Sequence, residues 1–184
     1  MKKNILIILG HSDKKSFCAT VADIYFEKLK KINDNEVRKI FLGELVFDPV
    51  LHNGYKEIQE LEPDLKKAQA DILWADHLIF VYPIWWMNMP ALLKGFLDRI
   101  ILPGFAYKYI NGRPHGLLTG KTAEIIVSTG GPKIFYSWLG GKIAIKVLKN
   151  NILKFCGIKT KKVKIYGGIL KGDKSSVLEK IKKE

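Results

Sequence analysis

Cysteine, arginine, long apolar runs and glycine-rich nucleotide signatures are all scarce in this chain, and each shortage removes a class of explanation. The two cysteines, Cys18 and Cys156, lie far apart with no paired spacing. That argues against a disulfide framework and against a zinc or other metal site, and it makes the cytoplasm the default compartment. No apolar stretch approaches the roughly 20 residues that a membrane span needs. The apolar run Ile5 to Leu9 leads into Gly10-His11-Ser12-Asp13 without a small-residue cleavage site, so it reads as a strand rather than a signal peptide. Gly-x-Gly-x-x-Gly is missing, and no Gly-Lys-Ser/Thr follows a strand, which excludes the dinucleotide fingerprint and the P-loop. Arginine is rare although the formal net charge is +13. Base reading and bidentate phosphate contacts favour arginine, so a lysine-dominated charge argues against specific nucleic-acid binding. The lysines crowd at Lys154, Lys159, Lys161, Lys162 and Lys164 and again at Lys180, Lys182 and Lys183. A basic surface of this kind attracts anionic nucleotides and suits poorly a small electron carrier that docks on basic partners.

What is present is an alternation of strand and helix. With 184 residues, 47% hydrophobic and 27% charged, the chain suits one globular domain, residues 1–184, with a sizeable core. Apolar patterning predicts strands at Lys3 to Leu9, Glu36 to Phe41, His77 to Tyr82, Thr122 to Ser128 and Lys162 to Tyr166. Between them it predicts helices at Phe17 to Lys31, Pro63 to Ala75, Ala91 to Ile101 and Tyr136 to about Phe155, with a terminal helix after Gly172. Residues Pro103 to Gly120 read as a Gly- and Pro-rich connection. The pattern implies a three-layer α/β domain with helices on both faces of a five-stranded parallel sheet.

Three loops follow three of these strands. Gly10 to Phe17 runs into a helix whose free amides and positive end suit a phosphate, with Ser16 and His11 nearby; helix capping by Ser16 is the competing reading. Tyr82-Pro83-Ile84-Trp85-Trp86-Met87 sets a flat apolar patch at the carboxyl end of a strand, where parallel sheets bind ligands, unless these rings are ordinary core. Ser128-Thr129-Gly130-Gly131-Pro132 lets backbone amides approach a ligand edge or forms a simple turn. In a sheet of order 2-1-3-4-5 the three loops would meet at the switch point and surround one nucleotide.

These residues resemble the flavodoxin-like NAD(P)H:quinone oxidoreductases, a family that includes quinone reductases, modulators of drug activity and ancillary subunits of potassium efflux systems. The resemblance runs from Asn4 to about Lys142. It rests on His11-Ser12, Ser16-Phe17, Pro83 through Pro90-Ala91-Leu92-Leu93-Lys94-Gly95 to Asp98-Arg99, Phe105-Ala106-Tyr107, and Thr129-Gly130-Gly131 with Tyr136. It implies FMN, with FAD open because some short relatives use it, and NAD(P)H as co-substrate. His11, Ser16, Phe17 and the amide of Cys18 would hold the flavin phosphate end. Pro83, Ile84, Trp85, Trp86 and Met87 would form the isoalloxazine strip, with Trp86 on the hydride side. Ser128, Thr129, Gly130 and Gly131 would form the pyrimidine edge, where the Tyr136 hydroxyl would steady negative charge. Tyr107 and Tyr109 would enter a substrate pocket from the other subunit of a homodimer. The implied reaction is two-electron reduction of a quinone or similar flat acceptor. Azo- or nitro-compound reduction and a flavin-binding regulatory subunit of a potassium efflux antiporter are the alternatives. Two departures stand out: Cys18 replaces an asparagine, and Lys142 occupies the position of a histidine in the mammalian enzyme's proton relay.

Overall fold

The computed structural model describes residues 2–32, 34–132, 142–169 and 174–183. Its elements run β1 (Asn4–Leu9), α1 (Phe17–Lys30), β2 (Glu36–Phe41), a short 3-10 turn (Leu42–Glu44), α2 (Pro63–Trp74), β3 (His77–Pro83), α3 (Ala91–Ile100), β4 (Tyr107–Ile110), β5 (Arg113–Gly116), β6 (Thr122–Ser128), α4 (Lys142–Lys146), a π-wound stretch (Val147–Leu153), β7 (Lys159–Tyr166) and α5 (Lys174–Lys183). The main sheet is parallel, in the order β2-β1-β3-β6-β7. With the small hairpin β4-β5 set aside, this is the 2-1-3-4-5 order expected from the sequence.

The central strands are nearly continuous apolar runs because both faces of the sheet are covered. On one face Ile5, Ile7 and Leu9 join Ile79, Val81 and Ile126 beneath α1 and α5. Residues of opposite parity, including Leu6, Ile8, Phe80 and Tyr82, face Leu65 and Ile72 of α2, Leu93 and Phe96 of α3, and Leu148. Among the described residues no helix is long and apolar enough to cross a membrane.

Local chemistry accounts for the helix ends. Ser16 caps α1, its Oγ accepting from the Ala19 amide at 3.1 Å. Pro63 opens α2, where its missing N–H costs nothing. Lys121 closes α2 by donating from Nζ to the carbonyls of Leu73 and Ala75 at 2.7 and 2.6 Å.

The Pro103 to Gly120 connection contains a hairpin that the turn composition alone did not reveal. Asn111 (φ 50°) and Gly112 (φ 74°) form its two-residue turn. Both central residues are left-handed, which is the geometry an Asn-Gly pair favours. β7 also begins three residues earlier than the apolar pattern implied. Its lysine-rich start lacks strand alternation, and lysines are a common feature of sheet edges. The first part of the helix expected from Tyr136 lies outside the described residues; from Val147 the backbone widens from α to π winding.

Candidate active site

β1, β3 and β6 end at a cleft of about 550 Å³. It lies at the carboxyl edge of the sheet, where the chain order changes direction between β1 and β3, the usual ligand position in such folds. Its first wall carries His11 and Phe17, its second Pro83, Ile84, Trp85 and Trp86, and its third Ser128, Thr129, Gly130 and Gly131. The three loops singled out in the sequence therefore converge.

At the first wall, the amides of Phe17 and Cys18 have no acceptor among the described residues, because the Ser16 cap serves Ala19 instead. No acidic residue occupies the first turn of α1. Two free donors at the positive end of a helix suit a phosphate oxygen. His11 accepts the Asp13 amide at Nδ1, 2.8 Å away, which leaves the proton of the neutral ring on Nε2. Partial burial lowers the pKa of this ring despite the nearby Asp13 carboxylate, favouring that neutral form. The ring meets Trp85 edge to face at 5.2 Å.

The second wall has an unusual backbone. Ile84 donates to the Ser128 carbonyl at 2.8 Å, carrying the β3-β6 pairing past Pro83. Trp85 and Asn88 then exchange both backbone hydrogen bonds, each 2.9 Å long. The turn this closes has Trp86 (φ 47°) and Met87 (φ 61°) at its centre, both left-handed. Glycine or asparagine normally fills such positions, because a bulky side chain there costs about 1–2 kcal/mol per residue. The turn holds the Trp86 indole off the core, fully exposed at 100%, while Met87 is 40% exposed and sits in the turn rather than in the cleft wall.

The third wall is clamped to the segment after β7. Thr129 donates to Tyr166 O at 2.8 Å, Ile169 to Thr129 O at 3.2 Å, and Gly168 to Gly131 O at 2.7 Å. Thr129 Oγ1 also donates to Gly131 O at 2.9 Å. The amides of Gly130 and Gly131 have no acceptor among the described residues. Cys18 lies behind this wall, its Sγ 3.1 Å from Ser128 Oγ. Burial pushes its thiol up to about 11 despite hydrogen bonding to Ser128, so it is a neutral packing group.

Some expectations fall elsewhere. Ser16 serves the helix cap, and neither it nor Cys18 lines the cleft within this chain. Tyr107 is buried against Phe155, with ring centroids 4.9 Å apart. Tyr109 projects from the hairpin at 63% exposure, and neither tyrosine lines the cleft of its own chain. Tyr136 lies outside the described residues, as does the side chain of Lys142. Sequence reading missed Ile169 and Lys174, which close the cleft from the carboxyl-terminal side. Only the general rule that every strand end faces the same edge could have pointed to them. It also missed the role of Arg99. This buried guanidinium reaches Glu62 through Nη1 at 3.1 Å and Nη2 at 2.9 Å, Glu60 O at 2.8 Å, and the carbonyl of Asp48. It thereby fastens the loop before α2 to α3, where a Cβ on Gly95 would meet Pro49 at 2.5 Å.

A flat ligand with an anionic end and a polar edge fits this cleft. It offers an apolar wall and, with no acceptor among the described residues, two amides at a helix start and two more at a Gly-Gly loop. The family model described as a flavodoxin-like fold matches residues 3–184. A Haemophilus influenzae protein named as an uncharacterized NAD(P)H oxidoreductase is 34% identical over 90% of this chain and 84% of its own. The human ribosyldihydronicotinamide dehydrogenase [quinone] is 30% identical over 85% of this chain and 78% of its own. The crystal structure of Smu.1420 from Streptococcus mutans UA159 superposes with a TM-score of 0.79, at 32% identity over 98% of this chain and 97% of that one. The chain thus belongs to the flavodoxin-like family of NAD(P)H and quinone oxidoreductases.

Proposed function

We propose that this chain is a flavin-dependent NAD(P)H:quinone oxidoreductase that works as a homodimer with FMN. The observation that carries the reading is the pairing, in one cleft, of amides at the start of α1 with amides at Gly130 and Gly131, all without an acceptor among the described residues, on either side of the Trp85-Trp86 wall. When bound, the flavin would supply two-electron hydride chemistry between NAD(P)H and a quinone or similar flat acceptor.

The chain's own residues would bind, orient and polarise. Phe17 and Cys18 would hold a phosphate through backbone N–H groups, with Nε2–H of His11 as a further donor. Ile84, Trp85 and Trp86 would set the plane of the ring system by stacking. Gly130 and Gly131 would donate to its polar edge, where fixed donors stabilise developing negative charge without reorganisation. Tyr136 would add a hydroxyl at that edge.

The dimer reading is supported by exposed apolar groups on the β4-β5 hairpin and on the stretch before α2. Tyr109, Ile110, Tyr55 and Ile58 are all exposed, and contiguous exposed apolar groups usually mark a contact. A two-fold arrangement would let Tyr109 of one protomer complete the acceptor pocket of the other.

The decisive experiment identifies the flavin released from purified protein, then follows its bleaching by NADH or NADPH and its recolouring by a quinone. A colourless protein that neither FMN nor FAD reconstitutes would refute the proposal. Light scattering at micromolar concentration tests the dimer, and a fully active monomer would refute that part.

A further inference from the structure

We propose that the chain carries a second ligand site, for a small, multiply phosphorylated anion, at the amino-terminal edge of the sheet. A cleft of about 320 Å³ opens there, beside the start of β7. The active-site cleft lies at the other end of the same strand, about 20 Å away at the usual rise per residue. Lys149, Lys154 and Lys159 line the smaller cleft together with Asn150 and Thr160. None of the three lysines has a carboxylate partner among the described residues. The surrounding sequence makes this more than chance: between Glu124 and Asp173 there are ten lysines and no acidic residue. Elsewhere in the described chain lysines commonly pair with acids, as Lys2 does with Glu36 and Lys94 with Asp98.

The backbone gathers these charges in an uncommon way. The Lys154 amide donates to the Lys149 carbonyl at 3.1 Å, a π-type bond across five residues, as does Ile158 to Leu153 at 2.8 Å. π winding is rare and recurs at functional sites. Here it stacks Lys149 and Lys154 on successive turns. Two like charges so placed repel, a cost of the kind that an anion between them removes. Thr160 lies at the irregularity where β7 slips register against β6 between Ala123 and Glu124. Its buried Oγ1 has no hydrogen-bond partner among the described residues, so turning it toward a ligand would break no bond seen there. Lysine supplies point charges without the planar fork that reads bases or single carboxylates. Three ammonium groups around a cleft of this volume match a compact anion of several negative charges, a di- or triphosphate group, rather than a long polymer.

Titration calorimetry of the full chain with inorganic tripolyphosphate, in saturating FMN, tests the site, because any phosphate subsite at α1 is then occupied. Repeating it without FMN should give the same smaller-cleft binding whether or not the flavin reading holds. The expected result is saturable binding of one anion per chain. The Lys149→Gln/Lys154→Gln double variant should weaken it by about tenfold or more, as loss of two charge-assisted contacts implies. Thr160→Val should weaken it less. A Lys66→Gln/Lys67→Gln control on the exposed face of α2 should bind as the wild type does. Unsaturable uptake, equal weakening in both double variants, or binding to phosphatidylglycerol vesicles without binding to tripolyphosphate would overturn the proposal.

Discussion

Replacing Trp86 with glycine should improve folding while damaging cofactor binding. Trp86 holds a left-handed conformation with its indole fully exposed. In the flavin-free protein glycine therefore forfeits no burial and removes a backbone penalty of about 1–2 kcal/mol. It returns roughly 0.4–1 kcal/mol by loosening the unfolded chain. The net gain is about 0.5–1 kcal/mol, a rise in Tm of about 1–4 °C for a chain of this size. Flavin affinity should move the other way, because a lost stacking partner costs about 1–3 kcal/mol, roughly 5- to 150-fold in Kd. Trp86→Ala separates the two effects, since alanine keeps the strained backbone and loses only the ring. Its Tm should stay near the wild-type value while its flavin affinity falls as in the glycine variant. Calorimetry of flavin-free protein and fluorescence titration with FMN measure both quantities. A glycine variant that melts below the wild type would refute the strain argument, and an unchanged Kd would remove Trp86 from the site.

Arg99→Met strands the Glu62 carboxylate and frees the loop, so stability should fall by about 3 kcal/mol and Tm by roughly 6–12 °C; a loss below 1 kcal/mol in urea titration would show that the guanidinium does not hold the loop. Burial alone would raise the pKa of Glu62, but hydrogen bonds from the Asp48 amide and Arg99 outweigh it and hold the carboxyl below its ordinary value. The stability this gives is fully present above pH of about 4.3 and disappears as pH falls through the depressed folded value. The acid limb of the stability curve should accordingly be shallower in Arg99→Met than in the wild type. Burial raises both thiols to about 11, so a chromogenic disulfide reagent at pH 8 should label Cys18 and Cys156 only after denaturation; rapid labelling of native protein would contradict this. At the two positions that match the family's proton relay, Lys142→Ala should leave both half-reactions unchanged in stopped flow while Tyr136→Phe slows hydride transfer. Comparable losses from both would place the lysine in the site.

The strands and the three loops were readable in the sequence, because strands covered on both faces are written as unbroken apolar runs and because Pro83, Gly130 and Gly131 mark the strand ends; the sheet order followed only from the doubly wound pattern that the three loops and the family resemblance fit. Other features depend on information that one-dimensional pattern does not hold. Ser16 had two chemically reasonable partners, a helix amide or a ligand, and only coordinates show that Ala19 takes it. The Trp85 to Asn88 turn contradicts residue preference at Trp86 and Met87, so turn statistics point away from it. Lys174 and Ile169 reach the cleft through tertiary proximity alone. The β4-β5 hairpin is different, since its Asn111-Gly112 pair was a usable signal masked by the prolines and glycines around it.

Arg99 bears on how this protein can diverge. The stretch 46–62 has no helix or strand of its own, and the guanidinium grips it through two carbonyls and one carboxylate. Carbonyls are present whatever side chains the chain carries. Most side chains between Val50 and Gln59 can therefore be exchanged, and the tip lengthened at small entropic cost, while the sheet and its cleft stay as they are. Tyr55 and Ile58, exposed on that stretch, are held on a fixed frame, so the chemistry of this outer surface can change without re-solving the fold.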